Sequence, residues 1–238
     1  MEMIEEQVSP ALKNALKKLD INYFLTSDNQ LINHRVFYCN TWDDAKNKEG
    51  LAFIELLKSE CEHLKTSFEK YTLIQVNIIN APPDCNNQLF HIDYRGDSFS
   101  YFIPFVELSD LNGTEYLHFS DEKNYTKYYE TLLQMSDEYL NKPDIVDYLS
   151  RHAGLKLEQD FCFKCANSDA FSLLYMPYYT YHRGQKNKTT TPRLMLNVLF
   201  SIGNNFNYPT EEYILDAEID EMARAAQILE LRKNNIIV

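Results

Sequence analysis

The sequence predicts a mainly β domain of sandwich or jelly-roll type, with helices at both ends and one helical insertion between core strands. Three observations carry this. First, about eight short β-rich runs are separated by Pro-Pro, Asn-Asn and Gly-Asp breaks. Second, these runs cluster instead of alternating with helices, which disfavours a parallel βαβ sheet. Third, 238 residues with 45% hydrophobic and 24% charged content suit one globular domain with a sizeable core. Six Gly and eight Pro exclude collagen-like and low-complexity chains.

Taken in order, Ser9-Pro10 supplies an N-cap and a first-turn proline for a short helix through Leu19. Residues 31–39 read as a strand. A longer helix is expected from Glu49 to Glu69, with the stripe Ile54, Leu57, Cys61, Leu64, Phe68. The period then changes, and Tyr71–Asn80, Gln88–Tyr94, Ser98–Leu108 and Glu115–Phe119 read as strands. From Asp121 to Gly154 the pattern is helical, with Tyr125, Tyr129, Leu132 and Tyr139 on one face and a second helix after Pro143. Strands resume at 156–164, 169–175, 178–183 and 193–202, and a helix from Thr210 to Lys233 closes the chain. The expected organisation is one domain: mainly helical support over 1–70, a β core at 72–120 and 156–202, an insertion at 121–155 and a C-terminal helix at 209–233. The stripe Leu215, Ile219, Met222, Ala226, Leu229 packs on the sandwich or forms a homodimer interface.

The formal net charge of −12, without a Lys/Arg cluster, argues against nucleic acid as the main partner. No apolar run reaches membrane-span length, and residues 1–7 lack a signal-peptide core. Five cysteines without framework spacing suggest a reduced, cytoplasmic protein, so the sequons at Asn112, Asn124 and Asn187 carry no expectation of glycosylation.

His91-Ile92-Asp93 ends a predicted strand. Residues i and i+2 of a strand share a face, so an imidazole and a carboxylate converge there, as two ligands of a 2-His-1-carboxylate facial triad do. The third ligand is a downstream histidine. His118 follows too soon and His152 falls in a predicted helix, whereas His182 ends the strand Tyr178–Gly184. Eleven residues after His182, Arg193 opens the next strand, where its guanidinium can clamp a carboxylate. His-x-Asp, a long interval, His, a short Asn/Thr-rich turn and Arg together are far more specific than any one part. His34 and His63 carry no motif.

Here the chain resembles the Fe(II)/2-oxoglutarate-dependent dioxygenases, most closely the phytanoyl-CoA dioxygenase-like branch. The resembling stretches are Phe90–Asp93, Phe105–Thr114, Tyr181–Asn187 and Pro192–Asn197, within residues 72–202. The resemblance implies a double-stranded β-helix, the cupin-like jelly roll. It implies iron held by His91, Asp93 and His182, with Arg193 on the distal carboxylate of 2-oxoglutarate and O2 as the oxidant. For the other end of 2-oxoglutarate, Gln75, Asn77, Asn80, Tyr101 and Asn197 are candidates only. Asp93 argues against halogenation, whose enzymes place a small residue there.

Other features read more simply. Cys162-Phe-Lys-Cys165 lacks a second ligand pair for zinc and a helix N-terminus for redox work, so buried thiols are expected. Arg95-Gly-Asp97 shapes the turn after Asp93, and Arg183 faces away from the metal if the strand alternates. The insertion, with the Pro82–Asn87 loop, is a candidate rim of the substrate cavity. Three functions remain open: small-molecule C–H hydroxylation, hydroxylation of a peptide side chain, and a non-enzymatic jelly-roll binding protein.

Overall fold

The computed structural model describes residues 5–18, 33–40, 42–92, 98–120, 141–177 and 180–203. Asp93–Asp97, the Tyr-rich stretch 121–140, Asn124 and the predicted C-terminal helix lie outside these residues.

Two antiparallel sheets organise them. The larger has the order β1-β7-β4-β9-β3-β2, built from β1 (Glu5–Gln7), β2 (Asn33–Cys39), β3 (Thr72–Ala81), β4 (Ser98–Pro104), β7 (Ser172–Pro177) and β9 (Arg193–Ser201). The smaller has the order β6-β5-β8, from β5 (Thr114–Phe119), β6 (Phe161–Cys165) and β8 (His182–Gly184). Sequence neighbours are rarely sheet neighbours, and from β4 onward the chain changes sheet at every connection except β5 to β6.

Helices cover the outer face of each sheet. On the larger sheet these are α1 (Pro10–Leu16), α2 (Asp44–Glu60) and α3 (Glu62–Lys70). The α1 helix starts where expected because Ser9 accepts a hydrogen bond from the Leu12 amide at 3.2 Å. Leu12, Leu16, Ile54, Leu57 and Leu64 pack on Val76, Ile78, Ile103, Leu194, Leu196, Val198 and Phe200. On the smaller sheet, α4 (Lys142–Ala153) lays Ile145 and Leu149 against Leu117, Phe119, Phe161 and Tyr181. Asn141 caps α4, and Gly154 ends it at φ 67°, a left-handed backbone that glycine adopts without strain.

Several expectations need correction. The single helix over 49–69 is two helices, because Cys61 is extended at φ −137°, ψ 114°. Cys61 stays buried in the same core, so the apolar stripe runs unbroken through the break. The predicted strand Gln88–Tyr94 is reduced, in the described part, to an isolated bridge between His91 and His182. The run from Ser98 stops at Pro104, whose ring leaves no N–H for the ladder. The acidic start Glu5–Gln7, within the stretch expected to be mainly helical, is a strand that pairs with β7.

Candidate functional site

The smaller sheet holds the two histidines. His91 and His182 face each other across an antiparallel bridge, with the His91 amide donating to the His182 carbonyl at 2.8 Å and the reverse bond at 2.9 Å. Their rings lie 4.7 Å apart, centroid to centroid. Tyr181 and Phe90, each one residue before a histidine, belong to the α4-facing core. Alternation therefore puts both imidazoles on the inner face, away from α4. Each ring is fixed the same way: His91 Nδ1 is 2.8 Å from the Leu89 carbonyl and His182 Nδ1 is 2.9 Å from the Thr180 carbonyl. A carbonyl only accepts, so both Nδ1 atoms donate, and in a neutral imidazole the lone pair then falls on Nε2. That tautomer is the one a metal requires, with the second-sphere bond already made. Among the described residues no third metal-ligating side chain joins the pair, and Asp93 lies outside them.

The larger sheet contributes the arginine. In the ladders β3–β9–β4, Arg193 stands opposite Ala81, and Asn197 stands opposite Asn77 and Phe102. Opposed residues share a face, and this one is turned away from α1–α3. Arg193 is 1% exposed. Its Nη1 donates to the carbonyls of Asn112 at 2.5 Å and Gly113 at 3.3 Å, with that of Gln185 at 3.5 Å. Asn112 and Gly113 lead into β5 and Gln185 follows β8, so Arg193 spans the two sheets on their inner side.

Arg193 also has an unmet need. Among the described residues no carboxylate pairs with it and its buried Nε has no partner. Burial lowers its pKa from the usual arginine value, with Cys85 and Cys165 acting weakly the other way. A guanidinium stays charged even so, and a buried cation without an anion is strongly unfavourable. One nitrogen is occupied by backbone while Nε is left over, which suits a planar anion such as a carboxylate.

Gln75, Asn77 and Asn197 share the inner face with Arg193, and all are buried. Asn77 Nδ2 donates to Gln75 Oε1 at 3.1 Å, while Asn77 Oδ1 and Asn197 Oδ1 lack partners among the described residues. Tyr101 is a correction. It alternates to the outer face, within the helix-facing core, and its hydroxyl lies 3.1 Å from Ser67 Oγ on α3. Asn80, opposite Leu194, is on the outer side too. Their patterns showed buried strands but not which parity faced inward.

Sequence reasoning missed Tyr116. It stands directly opposite His182 in the β5–β8 ladder, on the inner face, and burial raises its pKa above the usual tyrosine value. Cross-strand pairing is not visible in one sequence, so nothing marked it. His118 is one step further along β5 and His152 is on α4, neither in the histidine pair. Arg183 faces away, as alternation requires, and binds Glu115. Cys162 and Cys165 are free thiols on β6, and they are half-buried where buried thiols were expected. Asn112 and Asn187 are buried with engaged side chains, so these sequons are structural.

The chain matches no family model and no curated protein. Solved structures give a different result. A non-haem α-ketoglutarate-dependent carbocyclase, SnoK from nogalamycin biosynthesis, superposes with TM-score 0.56 and 10% identity over 84% of this chain and 79% of that one. HygX from Streptomyces hygroscopicus, solved with nickel and 2-oxoglutarate bound, gives TM-score 0.53 and 9% identity over 89% and 88%. A related epimerase, SnoN, gives 0.51 and 8% over 83% and 76%. The fold is that of the Fe(II)/2-oxoglutarate oxygenases. At such identity the likeness speaks for the fold, and the phytanoyl-CoA-like branch is not singled out by it.

The residues of this oxygenase fold also fit the cofactors on their own chemistry. Two imidazoles with pinned Nδ1 atoms suit a divalent first-row metal. A buried guanidinium with an orphaned Nε suits a dicarboxylate's far end. No helix among the described residues is long and apolar enough to cross a membrane.

Proposed function

We propose that this chain is a non-haem Fe(II)/2-oxoglutarate-dependent oxygenase, of double-stranded β-helix fold, that oxidises an unactivated C–H bond of a small molecule. The observation that carries this reading is Arg193. It is a buried guanidinium without a carboxylate among the described residues, joined to the loops of the sheet that bears the His91–His182 pair.

His91 and His182 would hold the iron through Nε2, with Asp93, two residues after His91 in the sequence, as the third ligand. Iron(II) with 2-oxoglutarate and O2 supplies the oxidant for C–H cleavage, the 2-oxo acid leaving as succinate and CO2. Arg193 takes the distal carboxylate, which replaces its missing anion and sets how deeply the cosubstrate enters. Asn77, Asn197 and Gln75 offer amide groups on the same face for the rest of the cosubstrate or for the substrate. The packed outer faces exclude bulk water, which strengthens the Arg193–carboxylate pairing.

Anaerobic addition of Fe(II) and then 2-oxoglutarate tests this. A visible charge-transfer absorption is expected that needs both, and succinate is expected once O2 and substrate are added. Undiminished 2-oxoglutarate turnover in purified His182→Ala or His91→Ala protein would sink the assignment. Two neighbours are named as a carbocyclase and an epimerase, so the product screen covers ring closure and epimerisation as well as hydroxylation. Succinate release with peptides but not metabolites would move the substrate class to protein side chains.

A further inference from the structure

On the α4 side of the smaller sheet, behind the histidines, lies an ion-pair network outside the proposed chemistry. Glu115 is 8% exposed on β5. Its Oε2 accepts from Arg183 Nε at 2.8 Å and Arg183 Nη2 at 2.7 Å, and its Oε1 pairs with Lys142, the first residue of α4. Arg183 in turn rests on the Phe90 ring, 4.7 Å from its centroid, and Phe90 stacks on Tyr181 at 5.9 Å and 15°. Lys142 covers Phe163, whose ring is 5.2 Å from that of Phe90.

The positions matter more than the charges. Arg183 follows His182 and Phe90 precedes His91, so in the antiparallel bridge Phe90 and Arg183 are themselves a cross-strand pair. Side chains alternate along a strand, so this pair holds the outer face of the ladder that carries both imidazoles on its inner face. Gripping Arg183 with a two-bond carboxylate fixes the local twist of that ladder, and with it the separation of the two rings. A charge so buried costs desolvation that a hydrophobic pair would avoid, and specificity of geometry is one reason such a pair persists.

We propose that Glu115, acting through Arg183 and Phe90, is a positioning residue for the metal centre. This rests on the iron-site reading of His91 and His182. It makes Glu115 a determinant of metal affinity, while 2-oxoglutarate anchorage by Arg193 on the other sheet is left alone.

The test titrates metal-free wild-type, Glu115→Gln and Arg183→Lys proteins anaerobically with Co(II), followed by its visible absorption. Each loaded protein is then titrated with 2-oxoglutarate, and the metal-free melting temperatures are recorded. Co(II) affinity is expected to fall about tenfold in Glu115→Gln and by a smaller factor in Arg183→Lys, the scale of losses when groups that orient ligands are removed. Affinity of the loaded variants for 2-oxoglutarate is expected to stay at the wild-type value. Arg183→Lys keeps the charge but loses the fork, so it decides the matter if Glu115→Gln does not fold. Wild-type Co(II) affinity in the variants overturns the proposal, as does a parallel loss of Co(II) and 2-oxoglutarate affinity, which marks a structural role. Wild-type protein that takes up no Co(II) overturns the iron reading itself.

Discussion

Arg193 spends its burial on a single requirement. Its Nη1 is satisfied by backbone carbonyls and its Nε has no partner among the described residues. Two charge-assisted hydrogen bonds to a carboxylate are worth about 3–5 kcal/mol together. Arg193→Met is therefore expected to raise the KM for 2-oxoglutarate by roughly 100-fold or more, with Co(II) affinity unchanged. The variant should also lose its preference for 2-oxoglutarate over 2-oxobutyrate, which lacks the distal carboxylate. Retained discrimination would show that another cation holds that end. Cys165 is a second residue with a clear expectation. Burial pushes its thiol up to about 11, with Asp110 and Glu115 adding to the shift. At pH 8 only about one molecule in a thousand is thiolate, and thiolate is the reactive form. Mass spectrometry after brief iodoacetamide treatment at pH 8 is expected to find Cys165 unmodified, with modification appearing only as pH approaches 11.

At the scale of elements, the turn between β8 and β9 sets the distance between His182 and Arg193 along the chain. Asn187, fully buried, holds it: Nδ2 donates to the carbonyls of Ala81 at 3.0 Å and Thr191 at 2.7 Å, and Oδ1 accepts from Thr189. Ala81 is the residue opposite Arg193, so the same side chain ties the turn to the arginine's own row. Asn187→Ala strands buried carbonyls and is expected to cost about 2–4 kcal/mol, read as a lower urea midpoint at unchanged slope. Gly113 is as constrained. A Cβ there would meet Ala166 O at 2.5 Å and Cys165 Sγ at 2.6 Å, while its carbonyl accepts from Arg193. Gly113→Ala must shift that backbone and is expected to weaken 2-oxoglutarate binding as well as stability. These elements also show what one sequence can carry. The strands β2, β3, β4, β7 and β9 and the cap at Ser9 follow from local pattern and turn chemistry. The order of His91, His182 and Arg193 is read directly along the chain, and the structure pairs the two histidines, while Asp93 lies outside the described residues. The parity of β4, which sends Tyr101 to the helices, depends on which face the helices cover. The placement of Tyr116 beside His182 and of Glu115 behind it depends on strand pairing. Those are tertiary facts that no short window contains.

Across the whole molecule, helices seal both outer faces, and the inner faces meet at a cation. In a chain of net charge −12, the inner site needs local positive charge before a dianion can enter. Arg193 is one source and a bound divalent metal would be the other. On the proposed function loading is expected to be ordered, and stability would report the order. A ligand at 100 times its Kd stabilises the native state by about 2.7 kcal/mol, which for a domain of this size is roughly 5–11 °C in melting temperature. Anaerobic Co(II) is therefore expected to raise the melting temperature by that amount, and 2-oxoglutarate to raise it further only after the metal is present. The sign of the pH dependence follows from the ligands. Imidazoles bind metal only when neutral, so the Co(II) increment should shrink as the pH is lowered and the ligands take up protons. The increment in His182→Ala should be lost at every pH. Scanning calorimetry of the metal-free, metal-loaded and doubly loaded protein from pH 5.5 to 8 separates these outcomes. A 2-oxoglutarate shift of equal size without metal would mean that Arg193 alone carries the affinity, and the ordered scheme would fail.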